Sequence, residues 1–135
     1  MRLAFASPAA SAIIDSARIW RAARDLGQPV QPMLFARLDR LGSGILAPVL
    51  DGLLTLFEAV FRRRFDAGAP TDVDLTADEE RLLALLDQDS CPAPAGPVQP
   101  ALAPALRTAL RSTRIMLRAV LGRAPGDAAA REPAA

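Results

Sequence analysis

Apolar residues recur along the chain at helical spacing in several stretches, and nowhere do they alternate over the length of a strand. In the first stretch Ile13, Ala17 and Trp20 follow at i, i+4 and i+7. Ser7-Pro8 supplies a start, because a serine oxygen accepts a free amide and proline tolerates the first helical position. Gly27 and Pro29 supply a stop, so the pattern predicts a helix over 8–26. Arg18 and Arg21 fall off its apolar face, and Arg24 falls back towards it at the helix end, where a long side chain reaches water. Pro32 opens a short second helix over 33–41, carried by Leu34, Leu38 and Leu41 and broken by Gly42-Ser43-Gly44.

The third stretch is the most strongly patterned. It starts between Ile45 and Pro48 and is expected to run to about Phe65. Leu46, Val49, Leu50, Leu53, Leu54, Leu56, Phe57, Val60 and Phe61 cover roughly 160° of a helical circumference. Asp51, Thr55, Glu58 and Arg62 form a narrow polar strip opposite, with Glu58 and Arg62 spaced as an i,i+4 ion pair. An arc that wide exceeds what one neighbouring helix covers. This helix is therefore the centre of the fold, or it faces a second surface.

Residues 66–75 read as a loop containing Gly68 and Pro70. Thr76 and Glu79 then form a T-x-x-E capping box, and Asp78, Glu79 and Glu80 sit in the first turn, where the helix dipole favours anions. Leu82, Leu83, Leu85 and Leu86 complete a helix over 77–88. Five prolines within 89–104 predict an extended linker, followed by a helix over 105–121. From Pro125 onwards the chain is Ala, Gly and Pro with few large apolar residues, so 123–135 read as a disordered tail. The expectation is an all-α bundle of four main helices and one short one. It forms a single domain over 1–122, with the Pro-rich linker letting the last helix cross back over the bundle.

Composition removes chemistry more than it adds any. The 135 residues contain no Lys, His, Tyr or Asn. That excludes a Ser-His-Asp triad, an imidazole acid or base, a Schiff-base lysine and a phosphate-loop lysine. One cysteine and no histidine cannot build a structural zinc site. No catalytic, cofactor-binding or metal-ligating set is proposed. The segment from Asp72 to Leu83 only faintly resembles a calcium loop, since Ala77 and Leu83 stand where Gly and Glu are needed. Capping explains its acids better.

Twenty-eight alanines and sixteen arginines beside the missing Lys, Asn and Tyr point to a GC-rich, bacterial coding sequence. The arginine bias is then mutational rather than a sign of nucleic-acid binding. Cys91 cannot form an internal disulfide, which favours a reducing, cytoplasmic setting, and nothing beside it in sequence would activate its thiol. The apolar run from Leu3 to Ile14 is interrupted by Ser7, Pro8 and Ser11 and does not resemble a signal peptide. The most apolar stretch, 45–61, is too short and too polar for a membrane span. Mean hydropathy is nevertheless +0.19, enough to leave apolar surface for a partner.

Charge is unevenly spread. Residues 1–65 carry +4, residues 66–90 carry −7 and residues 91–135 carry +4, for a net charge of +1. The acidic segment is expected to lie beside basic helix one or five of the same molecule. On the last helix Arg107, Arg111, Arg114 and Arg118 recur at i, i+4, i+7 and i+11 and form one stripe. At least two of them are expected within about 4 Å of acids in 66–90. Arg62, Arg63 and Arg64, at the end of the third helix, are the other basic cluster, suited to an anion or to the negative end of that helix.

These seven arginines are the candidate interaction surface. The function expected is a non-enzymatic protein-interaction or regulatory module that self-associates through the wide apolar arc. The alternative is a peripheral protein on an anionic membrane, using the basic amphipathic helix. A small ligand-binding protein or enzyme comes third. Nucleic acid ranks last, because the chain is almost neutral and offers one Trp, five Phe and no Tyr for stacking.

Overall fold

A computed structural model describes residues 7–87 and 100–120, and within them every regular element is helical. Helix α1 (Pro8–Asp25) begins where Ser7 Oγ accepts the amide of Ala10 at 2.9 Å. Helix α2 (Val30–Asp39) starts three residues before the expected 33–41. Pro32 then lies in the first turn, where its missing N–H has no helical partner to lose. Only Leu34 and Leu38 of α2 are buried, and Leu41 is exposed beyond the helix end. The turn into the next helix is held by Ser43, whose Oγ and backbone amide both donate to the carbonyl of Leu38 at 3.0 Å.

Helix α3 (Leu46–Phe61) is the centre of the fold, in contact with α1, α2 and α5. Leu46, Ala47, Leu50, Leu53, Leu54, Phe57, Val60 and Phe61 are buried along it. The wide arc is therefore taken up inside the molecule. α3 stops at Phe61 and not near Phe65, because Arg62 turns left-handed at φ +58° and caps the helix through its amide to Glu58 O. Glu58 also accepts the amide of Phe65 at 2.8 Å, which folds the chain back. The Phe65 ring is thereby buried edge-on against Phe57, with centroids 5.2 Å apart. Glu58 does not pair with Arg62 as its spacing suggests. It pairs with Arg21 and Arg24 of α1, at 2.6 and 3.7 Å.

Helix α4 (Ala77–Asp87) turns Leu82, Leu85 and Leu86 inward and contacts α1 and α5. Helix α5 (Ala103–Val120) follows a 3-10 turn at Pro100–Leu102 and buries Leu106, Leu110, Thr113 and Leu117. Its start two residues earlier than expected places Pro104 in the first turn, which proline tolerates. The remainder of the expected linker, the expected tail over 123–135 and the outer limits of the domain lie outside the described residues. No helix among the described residues is long and apolar enough to cross a membrane.

Candidate functional site

Two features stand out chemically, a buried ionic hub and the basic stripe on α5. The hub starts from the capping box. Glu79 N donates to Thr76 Oγ1 at 3.1 Å, and Thr76 N donates to Glu79 Oε1 at 2.9 Å, reciprocally satisfying two free amides. The same carboxylate also faces α1. Arg18 donates from Nε to Glu79 Oε2 at 2.9 Å and from Nη2 to Oε1 at 3.0 Å. The rest of the guanidinium holds the loop backbone, with Nη1 to the Asp72 carbonyl at 2.9 Å and Nη2 to the Asp74 carbonyl at 3.1 Å. Gly68 N adds a fourth hydrogen bond to the Glu79 carboxylate, at 2.9 Å. A side chain at Gly68 would begin about 3.0 Å from Asp72 Oδ2 and 3.1 Å from Arg18 Nη2, so the hub would have to give slightly to admit one.

Arg18 is thus not on a solvated face. It is 4% exposed and Glu79 is 0% exposed. The hydrogen bond to Glu79 outweighs burial and raises the Arg18 pKa above the ordinary arginine value, so its charge is fixed. Asp72, Asp78 and Glu79 of the faint calcium-like loop use their carboxylates within the fold, whereas Asp74 contributes only its backbone carbonyl. Asp72 Oδ2 accepts the Ala69 amide at 2.8 Å, and the carbonyl of Asp74 serves Arg18. Among the described residues no three His, Cys, Asp or Glu side chains are grouped to hold a metal ion.

The arginine cluster after α3 is divided. Arg62 is exposed as the left-handed cap. Arg63 forms a two-pronged pair with buried Asp78, at 2.7 and 2.5 Å. Arg64 reaches back to Asp25 on α1. Burial alone would push the Asp78 carboxyl up, but the Arg63 hydrogen bonds, the Asp66 amide and the charges of Arg63 and Arg81 hold it below the ordinary range. The hydrogen bond to Asp78 raises Arg63 in turn.

A carboxyl depressed on folding stabilises the fold fully above its unfolded pKa of about 3.9, and loses that contribution as pH falls through the lower folded value. Urea titrations from about pH 5 to pH 2 should therefore show a steeper acid loss for the wild type than for Asp78→Asn. The variant should start from a lower stability at neutral pH. Parallel acid slopes would show that this pair contributes nothing.

On α5 the expected pairing is absent among the described residues. None of Arg107, Arg111, Arg114 and Arg118 has an ion pair among the described residues, and the two buried acids of the segment, Asp78 and Glu79, are engaged by Arg63 and Arg18. The acidic segment does lie beside basic helices, with α4 packed on both α1 and α5, but its ion pair to a helix is with α1, through Arg18. Arg107, Arg111 and Arg118 are exposed and Arg114 is half-buried. One guanidinium nitrogen of Arg114, Nη1, is shut off from solvent without a hydrogen-bond partner. Ile115, 62% exposed, lies four residues after Arg111 and three before Arg118, on the same side.

An open groove of about 760 Å³ runs between the start of α1 and α4. Ile13, Leu83, Leu86 and Leu117 line it, together with Glu80, Arg81 and Asp87.

With this geometry in hand, comparison with known proteins adds no relative: no family model, no curated protein and no solved structure matches the chain.

Proposed function

We propose that this chain is a non-enzymatic protein-interaction module whose docking face is the arginine stripe of α5, and whose partner presents acidic side chains. The observation that carries this reading is the state of the stripe. Arg107, Arg111, Arg114 and Arg118 have no ion pair among the described residues, while the leucine face of the same helix is buried. The apolar arc of α3 is used internally, so the docking face lies elsewhere. Exposed arginines around an apolar residue, here Ile115, suit a protein interface, where arginine is enriched. The same burial weighs against the membrane reading. A basic amphipathic helix binds lipid by sinking its apolar face, and here Leu106, Leu110 and Leu117 are committed to the core. The absence of His, Lys and Tyr supports a role without catalysis.

The test titrates a poly-glutamate peptide and phosphatidylglycerol vesicles against the wild type and against Arg107→Glu/Arg111→Glu/Arg118→Glu. The peptide should bind the wild type in a salt-sensitive way, shift backbone amides along α5, and bind the exposed-site variant at least about tenfold more weakly. Vesicle binding without peptide binding would overturn this reading in favour of a membrane surface.

A further inference from the structure

We propose that the acidic partner of the α5 stripe is the 66–87 segment of a second copy of this chain. The inference rests on the reading of α5 as a docking face, and adds the identity of what docks there.

Charge gives the first argument. Asp78 and Glu79 are neutralised within the molecule by Arg63 and Arg18. Asp66, Asp72, Asp74, Glu80 and Asp87 have no ion pair within 4 Å among the described residues, and all but Glu80 are exposed. Arg81, the single cation in this stretch, is placed over the Phe61 ring, 5.0 Å from its centroid. One molecule therefore displays an acidic face and a basic face that do not satisfy each other internally. Two copies can satisfy both.

The second argument is the stranded donor. A guanidinium nitrogen removed from water without an acceptor is a costly state. Arg114 lies at the buried edge of the stripe, between exposed Arg107, Arg111 and Arg118. A carboxylate arriving on the stripe would supply that acceptor once the half-buried Arg114 side chain turns Nη1 outward. Along the helix the four arginines extend over about 16 Å, comparable to a short loop laid against them.

The third argument is the rigidity of the acidic face. Arg18 holds the carbonyls of Asp72 and Asp74, Asp72 caps the Ala69 amide, and Thr76 Oγ1 donates to the Asp66 carbonyl at 2.6 Å. The acids project from backbone already fixed by the hub, so docking pays little ordering entropy. The contact is charge-led, and it weakens steeply with salt.

The experiment uses two charge-reversed full-length chains. Arg107→Glu/Arg111→Glu/Arg118→Glu keeps the acidic face and reverses the stripe. Asp66→Arg/Asp74→Arg keeps the stripe and reverses exposed acids whose carboxylates make no hydrogen bond among the described residues. Circular-dichroism melts confirm that each folds. If the double variant melts low, Asp74→Arg alone carries the same readout.

Sedimentation velocity at low salt should show wild-type self-association that weakens at least about tenfold at about 0.5 M NaCl. Each variant alone should be monomeric, and the equimolar mixture should associate again, since the intact face of each meets the intact face of the other. A wild type that stays monomeric at about 300 μM, or a mixture no more associated than its components, would overturn the proposal. If that wild type still binds poly-glutamate through α5, the second-copy partner is wrong and the docking face stands. If it binds neither, both fall.

Discussion

Glu79→Ala is expected to destabilise the fold by about 3–5 kcal/mol, the range for breaking a buried ion pair from one side. The substitution takes away the carboxylate that is paired with Arg18, which is 4% exposed and has its charge fixed. It also takes the acceptor from the amides of Gly68 and Thr76, and with it half of the α4 capping box. A urea titration at neutral pH would show the loss as a lowered midpoint. The double variant Arg18→Met/Glu79→Leu separates charge from wiring. It removes the buried guanidinium together with its partner, and so should recover part of the loss. Recovery should be incomplete, because the carbonyls of Asp72 and Asp74 then lack their donor. A cost under about 1 kcal/mol for Glu79→Ala would mean that Arg18 escapes to solvent and the hub is not a fixed structure.

Trp20→Ala is the second large effect, at about 3–5 kcal/mol. Trp20 is 0% exposed and ties three helices together. Its indole N–H donates from α1 to Asp51 Oδ1 on α3 at 2.8 Å, and Gln31 of α2 donates to Asp51 Oδ2 at 2.6 Å. Arg24 lies over the ring, 4.7 Å from its centroid. Alanine would leave a cavity at the junction and an Asp51 oxygen without its donor. Trp20→Phe keeps most of the ring contact and loses only the donor, so its melting temperature should fall clearly less than that of the alanine variant. Equal losses would show that the hydrogen bond, not the packing, dominates the site.

The five helices were legible in the sequence because each has its own apolar spacing and punctuation. Ser7-Pro8, the glycines after α2 and the T-x-x-E before α4 mark ends through local hydrogen bonding, and local bonding is what a sequence displays. The end of α3 was not legible. A left-handed arginine carries no glycine to announce it, and what stabilises it is Glu58 catching Phe65 seven residues on. The hub was half legible. Glu79 was marked by the capping box, but Arg18 looked solvated because the stripe through Ile13, Ala17 and Trp20 omits it. The available signal was Ile14, four residues earlier and wholly buried, which widens the buried side of α1 to include Arg18. The charge segments were read correctly as opposite. Which basic helix would meet the acids was not readable, because net charge is shared by many side chains whereas the answer depends on the reach of one guanidinium.

The Arg18–Glu79 bridge joins residues 61 positions apart. Contacts among α1, α2 and α3 close shorter loops, and so form at smaller entropic cost during folding. The bridge has to wait until the chain has returned as far as α4. If the bridge forms after the rate-limiting barrier, Glu79→Ala should leave the folding rate almost unchanged and speed unfolding. The buried pair would then act as a latch in time, setting how long the acidic loop, once formed, keeps its shape.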